Sequence, residues 1–279
     1  MRFSLCYNDY DENRRGHMRS STFKDIKAKF ESSRDYTVFV VGDSITEGAR
    51  ATDREKTYTA VFAKKIAERY KGRTVIRYDG KRYDHPDAEL MPLSTYGEPI
   101  CVQSGGEGKI TVVRSGIGGN TVRRMLSRRT DFIDREVGGN AADLFIVMVG
   151  INDALRQDAS KYVTHEVFFE HLAELIKVID SSSKPADIIF MTPTYNDGGT
   201  SGESHLEPYA DEMRRISKEN GIPLIDQHSL WMHHLTVGGE NYGQGDWLCG
   251  VKGDYCHPGN VGHEAIANEM IRAIFESAN

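Results

Sequence analysis

Short apolar runs that end abruptly at glycine or proline punctuate the chain, and stretches of helical periodicity separate them. The first run, Tyr36 to Val41, is β-branched and aromatic and stops at Gly42, as a buried strand does. Thr74 to Tyr78, Ile110 to Val113, Leu144 to Val149, Ile188 to Thr192 and Ile222 to Ile225 read as further strands. Leu144 to Val149 contains no polar residue, which is the pattern of a parallel strand covered on both faces. It stops at Gly150, and the run ending at Thr192 stops at Pro193.

Helices are predicted between these runs. Phe23, Ile26 and Phe30 make a short amphipathic stripe within Thr22 to Phe30. Tyr58, Val61, Phe62, Ile66 and Tyr70 make a longer one within Lys56 to Lys71, closed by Gly72. Further helices are expected from about Thr121 into the 130s, over Thr164 to Ile179, over Pro208 to Asn220 and over Pro258 to Phe275; Leu230 to Leu235 reads as a helical turn. Strands alternating with helices imply right-handed crossovers and an α/β fold, with a mostly parallel sheet of about five strands covered on both faces. Residues 79–108 are charged and rich in proline and glycine, and read as an insertion with one or two short strands. The expected organisation is an N-terminal polar extension with a short helix over 1–35, then a single domain over 36–279.

Composition narrows the function classes. The chain is 39% hydrophobic and 27% charged, and 41 acidic against 35 basic residues give a net charge of -6. That balance argues against a nucleic-acid partner or an anionic membrane surface. No apolar run approaches the ~20 residues that span a bilayer, and the first dozen residues carry no continuous apolar core of a leader peptide. Cys6, Cys101, Cys249 and Cys256 are scattered with no Cys-x-x-Cys spacing, as reduced thiols are. The expectation is a cytoplasmic protein with no membrane partner; the chain allows a homo-oligomer.

The chemistry gathers at strand ends. Asp43 and Ser44 follow the first strand at its carboxyl end, where open α/β sheets place ligands. Taken alone they would cap the next helix. Gly119 and Asn152 lie just past two other strand ends, so a parallel sheet brings all three to one edge. Asp254 and His257 are three residues apart before the last helix, close enough for the carboxylate to hold one imidazole nitrogen and leave the other free for a serine proton. These are the parts of a serine-hydrolase triad, which is recognised by geometry and roles.

Gly42-Asp43-Ser44-Ile45, Gly119, Gly150-Ile151-Asn152-Asp153 and Asp254-Tyr255-Cys256-His257-Pro258 resemble blocks I, II, III and V of the SGNH hydrolases, the GDSL-type esterases, in the family's order. The resemblance implies a flavodoxin-like three-layer α/β/α sandwich. It implies Ser44 as nucleophile, His257 as general base and then acid, and Asp254 as its orienter. The oxyanion hole would be the N–H groups of Ser44 and Gly119 and the side-chain amide of Asn152. Asp43 and Trp247 are carried as candidate substrate contacts. The chain departs from the family where many members have Asn and Ser in block II; here Arg114 and Gly118 stand at those positions. Ser115 to Arg123, Val149 to Asp153 and Phe190 to Pro193 are also similar to intracellular carbohydrate acetylesterases, including acetylxylan esterases. The function so implied is hydrolysis of small acyl esters, acetyl above all, on a carbohydrate, with no metal and no cofactor.

Rival readings leave less trace. Gly-x-Ser-x-Gly is absent around Ser44, Gly42 to Gly48 lacks the Lys-Ser/Thr of a phosphate loop, and Ser115 to Asn120 does not fit Gly-x-Gly-x-x-Gly. Asp254, Cys256, His257 and His263 match no standard zinc spacing. His228, His233 and His234 read as surface or loop histidines. Trp231, Tyr242 and Trp247 could stack on a sugar or anchor a loop. A lipid or lysophospholipid esterase is the main competitor, and a non-catalytic binding protein the other. The polar loops at 79–108, 194–206 and 237–253 favour a polar substrate.

Overall fold

A seven-stranded sheet in the order β3-β2-β4-β1-β5-β6-β7 organises the molecule. Its strands are β1 (Tyr36–Gly42), β2 (Thr74–Asp79), β3 (Ile100–Gln103), β4 (Lys109–Gly116), β5 (Leu144–Met148), β6 (Asp187–Met191) and β7 (Leu224–Ile225). The computed structural model describes residues 21–80, 96–156, 158–195, 205–237, 247–249, 251, 254 and 256–276. The first twenty residues, the middle of the 79–108 insertion, most of the loops at 194–206 and 237–253, and Tyr242, Gly253 and Tyr255 therefore lie outside the described residues.

Five parallel strands, β4-β1-β5-β6-β7, carry the flavodoxin order, second-first-third-fourth-fifth in the chain sequence of those five. The sheet has seven strands where about five were expected. β2 extends the five in parallel beside β4, and β3 closes the edge antiparallel to β2. β3 falls in the insertion, whose described part thus adds an edge strand.

Register decides where the chemistry can sit. Gly42 at the end of β1 stands level with Gly116 of β4 and Met148 of β5. The segments leaving these three strands emerge side by side at one carboxyl edge, at the point where strand order reverses.

Apolar runs become core as their patterns predict. Val38 to Val41 are at most 1% exposed, and Phe39 meets Phe145 edge to face at 5.8 Å. On the flanks run α1 (Phe23–Glu31), α2 (Ser44–Glu47), α3 (Tyr58–Arg69), α4 (Val122–Ser127), α5 (Arg129–Phe132), α6 (His165–Asp180), α7 (Glu207–Asn220), α8 (Gln227–Val237) and α9 (Asn260–Ile271). α3 packs on α9, while α4, α6 and α7 form a second group.

α1 begins with a capping box, in which the Asp25 N–H donates to Thr22 Oγ1 and the Thr22 N–H donates back to Asp25 Oδ2. Its buried Ile26 and Phe30 join the main core, with Phe30 edge-on to Tyr36 and Phe275. α8 is longer than the turn expected at Leu230 to Leu235, and it corrects the reading of His228 as a surface or loop residue. His228 is fully buried, its ring held between the Thr194 carbonyl and the Glu207 carboxylate at 3.0 and 2.7 Å. The helix buries a polar ring whose partners come from other segments, so no apolar periodicity announces it. Among the described residues no helix is long and apolar enough to cross a membrane.

Candidate active site

Ser44 opens α2, and Asp43 is that helix's N-cap, its carboxylate accepting from the Ile45 N–H at 3.0 Å. The capping reading therefore holds for Asp43 and leaves Ser44 free for another task. Asp43 is 2% exposed, and burial raises its carboxyl to about 6 against the pull of the Ile45 N–H and the His257 charge. As a candidate substrate contact it is placed beneath the site surface and engaged in capping.

The Ser44 hydroxyl donates to His257 Nε2 at 2.7 Å across 213 residues of sequence. On the far side of the ring, Nδ1–H faces Asp254 Oδ1 at 2.8 Å and Oδ2 at 3.0 Å, and the His257 backbone N–H also donates to Oδ1. The proton on Nδ1 is assigned from this network, since a carboxylate only accepts. The Asp254 side chain is 8% exposed and that of His257 23%. Burial alone would raise the Asp254 carboxyl, but donation from Arg50 and His257 overrides it and holds the group at about 2.

The loop carrying the pair is laced to its surroundings. The Cys249 N–H donates to the His257 carbonyl at 3.0 Å and the Gly259 N–H to the Trp247 carbonyl at 2.9 Å. Trp247 itself stacks on His234 with centroids 3.6 Å apart and meets Trp231 edge-on at 5.0 Å. Those ring contacts belong to the loop-anchoring alternative for Trp247.

Gly119 has φ 75, in the left-handed region, which a glycine adopts without strain. Neither the Ser44 nor the Gly119 N–H donates within the described residues. Asn152 Nδ2 donates one hydrogen to the Asn120 carbonyl at 3.0 Å, and an amide nitrogen carries two. Its second hydrogen remains available.

Three residues that sequence reasoning did not single out, Asn120, Glu47 and Arg50, tie these segments together with Arg114. Asn120 is 1% exposed, and its own amide donates to the Gly42 carbonyl at 3.3 Å. Glu47 accepts from the Gly118 N–H at 2.8 Å, joining α2 to the glycine loop. Arg114, at the family departure, donates to the Glu47 carbonyl and to Asp79 Oδ1, so block II is braced through β4 and α2. Gly116 permits this contact, because a Cβ there would stand 2.0 Å from the Glu47 backbone nitrogen. Arg50 donates to Asp254 at 2.6 Å. The available signals were Asn after a Gly-Gly pair and two lone charges beside motif residues, none of which names its partner.

The candidate metal ligands have partners of their own. Asp254, Cys256 and His257 do cluster, with their donor atoms within 4.8 Å of one another. Asp254 and His257 spend their facing atoms on each other, and burial pushes the Cys256 thiol up, away from the thiolate a metal needs. His263 lies elsewhere, on α9. Its Nε2–H donates to the Ala49 carbonyl, its Nδ1 accepts from the Tyr58 N–H, and burial lowers it to about 4, so it stays neutral.

Asp153, next to Asn152, is fully buried; one oxygen accepts from the Val122 N–H at 3.2 Å and the other has no partner among the described residues. Burial raises it to about 7, opposed by the Val122 N–H. Its folded value lies above an unfolded value of ~3.9. The contribution to stability is thus full below that unfolded value and lost as pH rises through about 7. Asp153→Asn keeps an acceptor for Val122 and removes the titration. Its thermal midpoint is expected to gain on wild type between about pH 5 and pH 8; parallel curves would refute the assignment.

Comparisons with known proteins point to esterases. A family model described as GDSL-like Lipase/Acylhydrolase matches residues 38–270. An acetylxylan esterase of Geobacillus stearothermophilus is 25% identical over 170 residues, covering 59% of this chain and 72% of that relative. A crystal structure of an acetylxylan esterase from the same organism has a TM-score of 0.57 at 21% identity, covering 86% of this chain and 94% of that one. A two-domain esterase active on acetylated mannans has a TM-score of 0.60 at 15% identity. The match covers 92% of this chain but only 53% of the two-domain esterase, so the chain spans about half its length. At these identities the solved structures speak for the fold.

Proposed function

Since the chain belongs to the GDSL-like lipase/acylhydrolase family and is a carboxylic ester hydrolase, we propose that it removes acetyl groups from a carbohydrate through an acyl-enzyme on Ser44. The observation that carries this reading is the unbroken chain of hydrogen bonds from Ser44 through His257 to Asp254. We take it to lie within a single catalytic domain over 36–279, onto which α1 packs.

Each step follows from placed groups. A serine hydroxyl is inert until a neighbouring base takes its proton. His257 Nε2 accepts that proton as Ser44 Oγ bonds to the acetyl carbon, and the carbonyl oxygen becomes an anion. The Ser44 and Gly119 N–H groups and the second hydrogen of Asn152 Nδ2 receive the anion; losing one such donor typically costs ~10²–10³ in turnover. Asp254 stays ionised and holds the imidazolium. His257 then protonates the leaving sugar oxygen, the acyl bond to the sugar breaks, and a water activated by the same nitrogen releases acetate from Ser44.

The acetyl and carbohydrate assignments rest on the acetylxylan esterase relative and on the polar composition of the segments 79–108, 194–206 and 237–253. Acetate release is expected to be fastest from acetylated xylo-oligosaccharides or simple acetyl sugars and slowest from lysophospholipid. With p-nitrophenyl esters the rate is expected to fall steeply from acetyl to octanoyl. Faster turnover of the octanoyl ester would overturn the carbohydrate assignment and favour a lipid esterase.

A further inference from the structure

We propose that Arg50 is a positioning residue for the Asp254–His257 pair, fixing the carboxylate so that it holds the imidazole in register with Ser44. The inference rests on the catalytic reading above. Arg50 Nε donates to Asp254 Oδ2 at 2.6 Å, from a turn six residues past the nucleophile to a loop near the other end of the chain.

Two observations separate this pair from an ordinary surface contact. Arg50 has φ 65 and is the non-glycine residue with positive φ among the described residues. A side chain in that region is strained, and such strain persists where the surroundings over-determine it. The Arg50 side chain is 47% exposed against 8% for Asp254, so a half-exposed guanidinium reaches in to a buried carboxylate. The strained turn is thus the one that brings this donor to Asp254.

The surroundings do over-determine it. The preceding residue's carbonyl, Ala49 O, accepts from His263 Nε2 at 3.1 Å. Two residues on, the Thr52 N–H donates to Asn260 Oδ1 at 3.0 Å, and Asn260 Nδ2 donates back to Thr52 Oγ1 at 3.1 Å. The Arg50 turn is thereby pinned on both sides to α9, the helix that follows His257. With Oδ2 engaged by Arg50, Oδ1 faces both the Nδ1–H and the backbone N–H of His257. The carboxylate cannot rotate without breaking one of these bonds. Misplacing a catalytic group by about 1 Å can cost ~10²-fold in rate.

Glycine is the residue that the backbone at position 50 favours, so Arg50→Gly provides the discriminating variant. On p-nitrophenyl acetate its kcat is expected to fall roughly ten- to a hundredfold, the range for loss of a partner that orients a functional imidazole indirectly. KM should stay within about twofold, and the thermal midpoint should be equal to or above wild type. Arg50→Lys, which restores a cationic donor, should recover part of the rate. In an Asp254→Ala background, Arg50→Gly should change kcat by no more than about twofold, because its effect runs through the carboxylate. Unchanged kcat in Arg50→Gly, a loss confined to KM, a parallel fall in rate and thermal midpoint, or a full additional loss on top of Asp254→Ala would each overturn the proposal. A wild-type protein without esterase activity would remove the catalytic reading and this inference together; an active wild type with an equally active Arg50→Gly variant would remove this inference alone.

Discussion

Ser44→Ala is expected to abolish hydrolysis of p-nitrophenyl acetate while leaving the fold intact. Removing the nucleophile of a serine hydrolase costs on the order of 10⁶ in kcat, because the base then has no proton to take and the acyl group no atom to join. The competing account of Asp43-Ser44, a helix cap with no chemistry, makes a different forecast. The structure separates the two, since Asp43 is the N-cap of α2 and bonds the Ile45 N–H. Ser44 stands at the first helical position, where alanine leaves the cap untouched. Circular dichroism and the thermal midpoint should therefore match wild type while acetate release disappears. Near-normal turnover in this variant would remove the acyl-enzyme mechanism outright, and a collapsed fold would show that Ser44 carries structural weight that these contacts do not assign to it.

How much of this was legible beforehand depended on how local each cause is. Leu144 to Met148 declares itself because a strand buried on both faces has no polar position to spare. Thr164 caps α6 through its own side chain, so both the start and the stripe of that helix can be read within a few residues. The same holds for the strand ends, and hence for the shared edge on which Ser44, Gly119 and Asn152 meet. α8 reads as no more than a turn in the sequence because its buried His228 is satisfied by Thr194 and Glu207, residues that no window around it contains. The bracing of the site is non-local in the same way. Glu47 to Gly118 and Asn120 to Gly42 are single hydrogen bonds spanning 71 and 78 residues. Each is one polar contact between ordinary-looking residues, with no spacing to betray it. Ser44, His257 and Asp254 could be picked out as residue types at strand and loop ends; what holds them in place could not.

The same distinction shapes the expected outcome for Asp254→Asn. The exchange is nearly isosteric, yet kcat is expected to fall by about 10⁴, as when the orienting aspartate of a serine-hydrolase triad is made neutral. The reason lies on both sides of Asp254. Arg50 presents an N–H to Oδ2 and His257 presents one to Oδ1, so the site is built for a group that only accepts. Asparagine has one accepting oxygen and one donating nitrogen. With the amide oxygen drawn to the Arg50 guanidinium, the NH₂ faces His257, where it costs the bond from the backbone N–H and leaves Nδ1 to accept. The ring then accepts at Nδ1 and carries its proton on Nε2, directly opposite the Ser44 hydroxyl, where it can no longer act as base. Wild-type Asp254 is held at about 2, so it is ionised throughout the working range. Its electrostatic contribution to stability is present above the unfolded value of ~3.9 and is lost only as pH falls through about 2. The loss in Asp254→Asn should accordingly be undiminished at every point between about pH 5 and pH 8. Comparison of kcat for the two proteins across that range is the check. A variant that recovered toward wild type at either end, or that lost less than about tenfold, would show that the carboxylate does not set the imidazole's tautomer.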